Sequence, residues 1–321
     1  MENYFIIGGE KLNKSIVVEN VYKSYKSQSV LSGITFEASE NSVVGLVGSN
    51  GSGKTTLIKI ISGLVRADKG HITVDGVTDY RHFGNEVSVL LADNRNLYWK
   101  LTVKENINFI LSLRKNKTKE TIALTNKLLK EFNMEDKENT VVQELSRGMQ
   151  QKLSIILTIV DTAKIIMLDE PTLGLDNESC LDLVKFINNM KEAYNKVFII
   201  SSHDFQFLAK ICDRVLYLSN GTIKKDFITD SISNILNFNQ LQVCIQKSED
   251  TDLKCFFSKF EEHLGKVSLD DDGLIINFKI NDTSQIKDII DSIVSEEIIL
   301  RSINYSKPKF EFIVDELNKL V

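Results

Sequence analysis

Short apolar runs alternate along the first two thirds of this chain with segments whose apolar residues return every three or four positions. The run Ser42-Val-Val-Gly-Leu-Val47 reads as a buried strand, and beyond a glycine-rich loop Leu57, Ile58, Ile60, Ile61 and Leu64 fall at helical spacing. Residues 16–22 and 30–38 read as short strands ahead of it. From about residue 94 to 160 the pattern is helical, with Ile107, Ile110 and Leu111, then Leu128, Leu129 and Phe132, on apolar faces. Residues 164–168 and 197–201 are two further apolar strands with a helical segment between them. Buried strands alternating with helices predict an α/β fold around a largely parallel sheet. The stretch Arg214-Val-Leu-Tyr-Leu-Ser-Asn220-Gly221-Thr-Ile then predicts a hairpin turning on Asn-Gly.

The character changes near residue 230, which sets the expected boundary between a domain at 1–230 and a smaller one at 231–321. Residues 241–246 read as a strand, and Leu253, Phe256, Phe257, Phe260 and Leu264 as one helical face. A hairpin is expected at Asp270-Asp-Asp-Gly273, followed by a second helical face at Ile286, Ile289, Ile290 and Ile293. A strand near 298–304 and a helix from about 309 complete a β-α-β-β-α-β order, which suggests a small α+β, ferredoxin-like module.

Composition narrows the class. With 321 residues the chain has room for about two domains, and 26% charged against 42% apolar residues is a globular profile. A net charge of −5, from 39 basic and 44 acidic residues, gives no reason to expect a nucleic-acid partner. No apolar stretch approaches the roughly 18–20 residues of a membrane helix. The start, with acidic Glu2 and a short apolar run, is a poor signal peptide, so any membrane crossing is expected of another chain. Cys180, Cys212, Cys244 and Cys255 lie far apart without CxxC pairing, which argues for reduced thiols rather than zinc or a disulfide framework.

Four strings carry chemistry. In Gly48-Ser49-Asn50-Gly51-Ser52-Gly53-Lys54-Thr55-Thr56 the glycines let backbone amides wrap a phosphate, and the following helix offers its positive end. Lys54 is placed to reach the β- and γ-phosphates, and the Thr55 hydroxyl to ligate Mg²⁺. Residues 165–168 carry Asp169 to the end of a central strand beside that loop, where it is expected to hold the magnesium hydration shell. Glu170, one residue on, is the candidate base or positioner for an attacking water. In Leu145-Ser146-Arg147-Gly148-Met149-Gln150-Gln151, Ser146 is expected to cap a helix running to about 160. His203, in Ser201-Ser202-His203, follows the strand at 197–201.

In that order and spacing the strings resemble the ATPase subunit of ATP-binding cassette (ABC) transporters, over roughly residues 16–228. The resemblance implies a P-loop NTPase domain of the ABC type, with a helical subdomain at about 94–160, that binds and hydrolyses ATP with Mg²⁺. It implies that Ser146 and Gly148 face the γ-phosphate of ATP held by an opposite subunit, and that His203 is the switch histidine that contacts the γ-phosphate. It places Asp176 in the loop that crosses between subunits, and Tyr25 against adenine, although a buried strand tyrosine is a rival reading for Tyr25. Arg147 and Met149 depart from the usual Leu-Ser-Gly-Gly-Gln signature. The family's glutamine loop lacks its glutamine here, and Asp93 or Asn94 stands in its place as an alternative oxygen ligand for magnesium or water. Tyr98 and Trp99 lie where the family meets its membrane partner, with core packing an equal explanation.

The expected partners are a second ATPase subunit, as homodimer or heterodimer, and integral-membrane permease subunits. The location implied is cytoplasmic, on the inner face of the cell membrane. The signature variant, the Leu-Tyr-Trp loop and the C-terminal module resemble type-2 exporters. A regulatory or weakly active ATP-binding subunit, and a soluble ABC protein acting on ribosomes or DNA, are the alternatives. Nothing in the residues selects a transported compound.

Overall fold

The computed structural model describes residues 5–7, 10–12, 14–92, 97–160, 163–229, 239–246, 253–270, 273–296, 298–306, 308 and 312–313. The chain divides into two compact units, Met1–Thr229 and Asp230–Val321.

In the first unit β1 (Phe5–Ile7) and β2 (Glu10–Leu12) form a small antiparallel ribbon. Strands β3 (Lys14–Tyr25) and β4 (Gln28–Ser39) run twelve residues each, longer than their apolar cores predict, because polar residues at their ends continue the pairing. After β5 (Val43–Val47) and helix α1 (Lys54–Ile61) comes β6 (Lys69–Val74), which joins β3 to complete an antiparallel sheet of order β4-β3-β6. Helix α2 (Phe83–Glu86) leads to β7 (Val87–Leu90). Three longer helices follow: α3 (Val103–Leu113), α4 (Lys119–Glu131) and α5 (Arg147–Ile159). Then β8 (Ile165–Asp169), α6 (Asn177–Tyr194), β9 (Val197–Ser202) and α7 (Phe205–Ile211) alternate. The unit ends with β10 (Arg214–Ser219) and β11 (Thr222–Ile228).

The second sheet of this unit has the order β11-β10-β5-β9-β8-β7, parallel throughout except for β11. Every residue of β5, β8 and β9 is buried, as expected of parallel strands covered on both faces. Strand β8 is not the neighbour of β5; β9 lies between them. The hairpin turn at Asn220 and Gly221 has φ of 49° and 71°, the two left-handed positions that an Asn-Gly turn supplies. Leu57, Ile58, Ile60 and Ile61 of α1 enter one core with apolar residues of both sheets, which fixes the helix start over the strand ends. Each such burial is worth about 2 kcal/mol. Among the described residues no helix is long and apolar enough to cross a membrane.

Asn106 on α3 is wholly buried and organises the turn before that helix. Its Oδ1 accepts from the Tyr98 N–H at 2.8 Å, and its Nδ2 donates to the carbonyls of Tyr98 at 3.0 Å, Leu101 at 3.3 Å and Thr102 at 3.0 Å. The turn so held presents Tyr98 and Trp99 to solvent, 46% and 49% exposed, so core packing does not account for them. Asn106→Ala orphans buried backbone groups and should cost about 2–3 kcal/mol. In a unit of this size that is a fall of roughly 5–10 °C in Tm, measured by calorimetry.

The second unit comprises β12 (Asn239–Ile245), α8 (Leu253–Lys259), β13 (Leu264–Asp270), β14 (Gly273–Ile280), α9 (Ser284–Ser295) and β15 (Leu300–Ser306). Its sheet is antiparallel throughout, in the order β13-β14-β12-β15, the arrangement of a split β-α-β unit. Phe256 and Phe260 pack against Phe278 with ring centroids 6.1 and 6.0 Å apart at the centre of its core. Leu264, read from spacing as part of the α8 face, instead opens β13, because a short 3-10 turn at Glu261–His263 ends the helical stretch. The expected last helix falls outside the described residues except at Phe312 and Ile313, which are helical and buried.

Candidate functional site

The loop between β5 and α1 is shaped by two glycines. A Cβ on Gly48 would sit 2.3 Å from the Leu218 carbonyl oxygen, and Gly53 adopts φ of 108° with Leu31 2.6 Å from where a Cβ would be. Gly53 caps α1 without any side-chain hydrogen bond, and the first turn of the helix carries no acidic residue. The helix start therefore keeps its amides and its positive dipole end for a ligand. The hydroxyl of Ser52 is buried and has no hydrogen-bond partner among the described residues. Lys54 bends back over the loop, donating to the carbonyls of Gly48 at 2.7 Å and Ser49 at 3.2 Å. Burial pulls its pKa below the ordinary lysine value, while Glu170 and Asp169 act the other way. A buried cation, an unpartnered hydroxyl and an uncapped helix start together fit a phosphate chain.

Topology brings distant residues to this loop. Thr55 donates its hydroxyl to Asp169 Oδ2 at 2.7 Å, and Ser201 donates to Asp169 Oδ1 at 2.5 Å. Ser201 also accepts from the Glu170 N–H at 3.1 Å, so one buried hydroxyl orients both acids. Sequence reasoning assigns Ser201 no role; it stands directly opposite Asp169 in the β8–β9 register, a pairing that no local pattern encodes. Glu170 has φ of 50°, a left-handed conformation uncommon outside glycine. Its carboxylate lies 3.8 Å from Lys54 Nζ and 2.8 Å from His203 Nδ1. Glu170 is shielded, with 16% of its side chain exposed, whereas His203 faces solvent at 65%.

The remaining candidates lie apart. Ser146 caps α5 by accepting from the Met149 N–H at 3.3 Å. Gly148 approaches the Gly174 carbonyl so closely that a Cβ would lie 2.8 Å from it, and Gln151 donates to the Pro171 carbonyl at 3.0 Å. The α5 start is thus tied to the segment after Glu170, and no hydrogen bond among the described residues joins Ser146 or Gly148 to the loop at 48–55. Asp176 caps α6, accepting from the Ser179 N–H at 2.7 Å, a bond that holds its carboxyl below the usual range. Tyr25 is 45% exposed at the end of β3 with Lys23 Nζ 5.5 Å from its ring centroid, which removes the buried-strand reading. Asp93 and Asn94 lie outside the described residues. Among the described residues no three His, Cys, Asp or Glu side chains cluster as a metal cage. The oxygen pair of Thr55 and Asp169 is instead the kind of partial site that Mg²⁺ completes with phosphates and water.

The sequence profile of the ABC transporter family matches residues 31–173, a span that includes the loop, the α5 start and Asp169-Glu170. The chain is 30% identical over 240 residues to the lipopolysaccharide export system ATP-binding protein LptB of Haemophilus influenzae, covering 71% of this chain and 95% of LptB. It is 27% identical over 222 residues to the methionine import ATP-binding protein MetN of Bacillus subtilis, covering 66% of this chain and 65% of MetN. A solved structure of an ATP binding subunit of an ABC transporter superposes with a TM-score of 0.63 at 27% identity, covering 68% of this chain and 92% of that one. With its phosphate-type loop, its acidic strand end and a match along nearly all of LptB, this chain belongs to the ATP-binding proteins of ABC transporters.

Proposed function

We propose that this chain is an ATP-hydrolysing subunit that dimerises on ATP and drives export through separate membrane permease subunits. The observation that carries the reading is the convergence of Lys54, Thr55, Asp169, Glu170 and His203, from three separate stretches of sequence, on one loop. In this reading the loop 48–53 and the α1 amides bind the phosphates, Lys54 neutralises their charge, and Tyr25 offers its open ring face to adenine. Glu170 takes a proton from the attacking water, and His203 orients that carboxylate and meets the charge growing on the γ-phosphate. Thr55 and Asp169 would hold Mg²⁺, which supplies Lewis-acid neutralisation of the phosphate oxygens when bound.

Ser146 and Gly148 do not reach the loop of their own chain, and so serve the nucleotide of a second copy or a related subunit, with Asp176 at the junction. Tyr98 and Trp99, held outward by Asn106, are the proposed contact for the permease, with the protein on the inner membrane face in this reading. The relatives include both an export and an import protein, and so do not set the direction. Export rests on the Arg147 and Met149 signature, the Tyr98-Trp99 turn and the extra module beyond residue 229. A composite site makes a kinetic demand: specific ATPase activity of the purified chain should rise with protein concentration until the dimer saturates. Activity per chain that stays constant over about a hundredfold dilution, through the range where weak dimers dissociate, would assign turnover to a lone protomer.

A further inference from the structure

The seam between α8 and α9 in the second unit is polar where two helices lying on a sheet ordinarily close with apolar side chains. Along α9, Gln285, Asp288, Ser292 and Ser295 recur at helical steps with Asp291 beside them, while Ile289 and Ile293 turn to the core. They line a groove of about 490 Å³ whose other wall carries Lys259, Phe260 and His263. That volume is in the range of small-molecule sites.

The charges in this groove do not cancel. Lys259 Nζ donates to Ser292 Oγ at 2.5 Å, on a residue only 1% exposed, and lies 5.6 Å from the Phe260 ring centroid. Among the described residues it forms no ion pair with Asp288 or Asp291, although both line the same space. A flexible lysine beside two carboxylates would ordinarily swing onto one of them. Its engagement by the hydroxyl and the ring keeps opposite charges apart across the groove. The two carboxylates, one turn apart on α9, lie about 5–6 Å from each other at Cβ. The two carboxylates of the lining outnumber its one lysine.

The complement of this surface is a small molecule with one carboxylate for Lys259 and two cationic groups for Asp288 and Asp291. We propose that the groove binds a free basic amino acid. This assignment is independent of the nucleotide reading, since every residue it uses lies in the second unit. In calorimetry on the full chain at constant ionic strength, L-lysine or L-arginine should bind saturably. Putrescine, which lacks a carboxylate, and succinate, which lacks a cation, should bind at least about tenfold more weakly. Lys259→Gln should erase the preference for L-lysine over putrescine, and Asp291→Asn should weaken both by about tenfold. ATP affinity in the same samples should not change. Absence of saturation by about 10 mM L-lysine, putrescine binding as tightly as L-lysine, or both variants titrating like the parent would overturn the assignment.

Discussion

Replacing Glu170 with glutamine should lower ATP turnover by about a hundred- to ten-thousand-fold, the span that a positioned general base contributes. Glutamine keeps the size of the side chain and its contact with His203 but cannot accept a proton from water. The backbone of Glu170 is held by Ser201, which accepts its N–H, and by the left-handed φ of 50°, so the substitution leaves the β8 end in place. Nucleotide binding should therefore persist, and the variant should accumulate as an ATP-bound dimer visible by size-exclusion chromatography. Removing the negative charge beside Lys54 also lessens repulsion toward the γ-phosphate, which favours the same state. His203→Ala separates the two partners of this pair. If histidine only orients Glu170, its loss should cost less than the glutamine substitution, and phosphate release read on both variants decides it. A Glu170→Gln protein hydrolysing at the parental rate would take the base role away from this carboxylate.

What could be read from the sequence followed from burial. Strand β5, the loop and α1 were legible because an all-apolar run, three glycines and a 3.6-residue repeat stand in succession. Strands β8 and β9 were legible for the same reason, being buried on both faces. The missed elements lack such patterns. Strand β6, Lys69-Gly-His-Ile-Thr-Val, lies at a sheet edge with its first half exposed, and β7 spans only four residues, too few to show a period. The site was legible as residue types and not as contacts. That β9 would stand between β5 and β8 depends on strand order, which no local pattern encodes. The same holds for Ser201, whose bond to Asp169 joins residues 32 apart. Leu264 shows the converse error, a residue at helical spacing that the 3-10 turn before it hands to a strand.

Lys54→Ala should weaken ATP binding by about a hundredfold or more, the loss expected when a charged hydrogen-bonding partner leaves a shielded phosphate site. Lys54 is 6% exposed, and the carbonyls to which its ammonium donates, those of Gly48 and Ser49, belong to the loop itself. Those bonds tie the ammonium to the loop, and burial lowers the lysine's pKa because neutral carbonyls replace its hydration incompletely. An arriving triphosphate adds negative charge beyond that of the Glu170 carboxylate 3.8 Å away, so the lysine's contribution is concentrated in the bound state. Alanine forfeits it and frees the two carbonyls to water, at a cost in the stability of the free protein of only about 1 kcal/mol. Fluorescent-nucleotide titration measures the first effect and thermal unfolding the second. A variant that unfolds normally and still binds nucleotide with parental affinity would mean that the loop 48–53 does not cradle the phosphates.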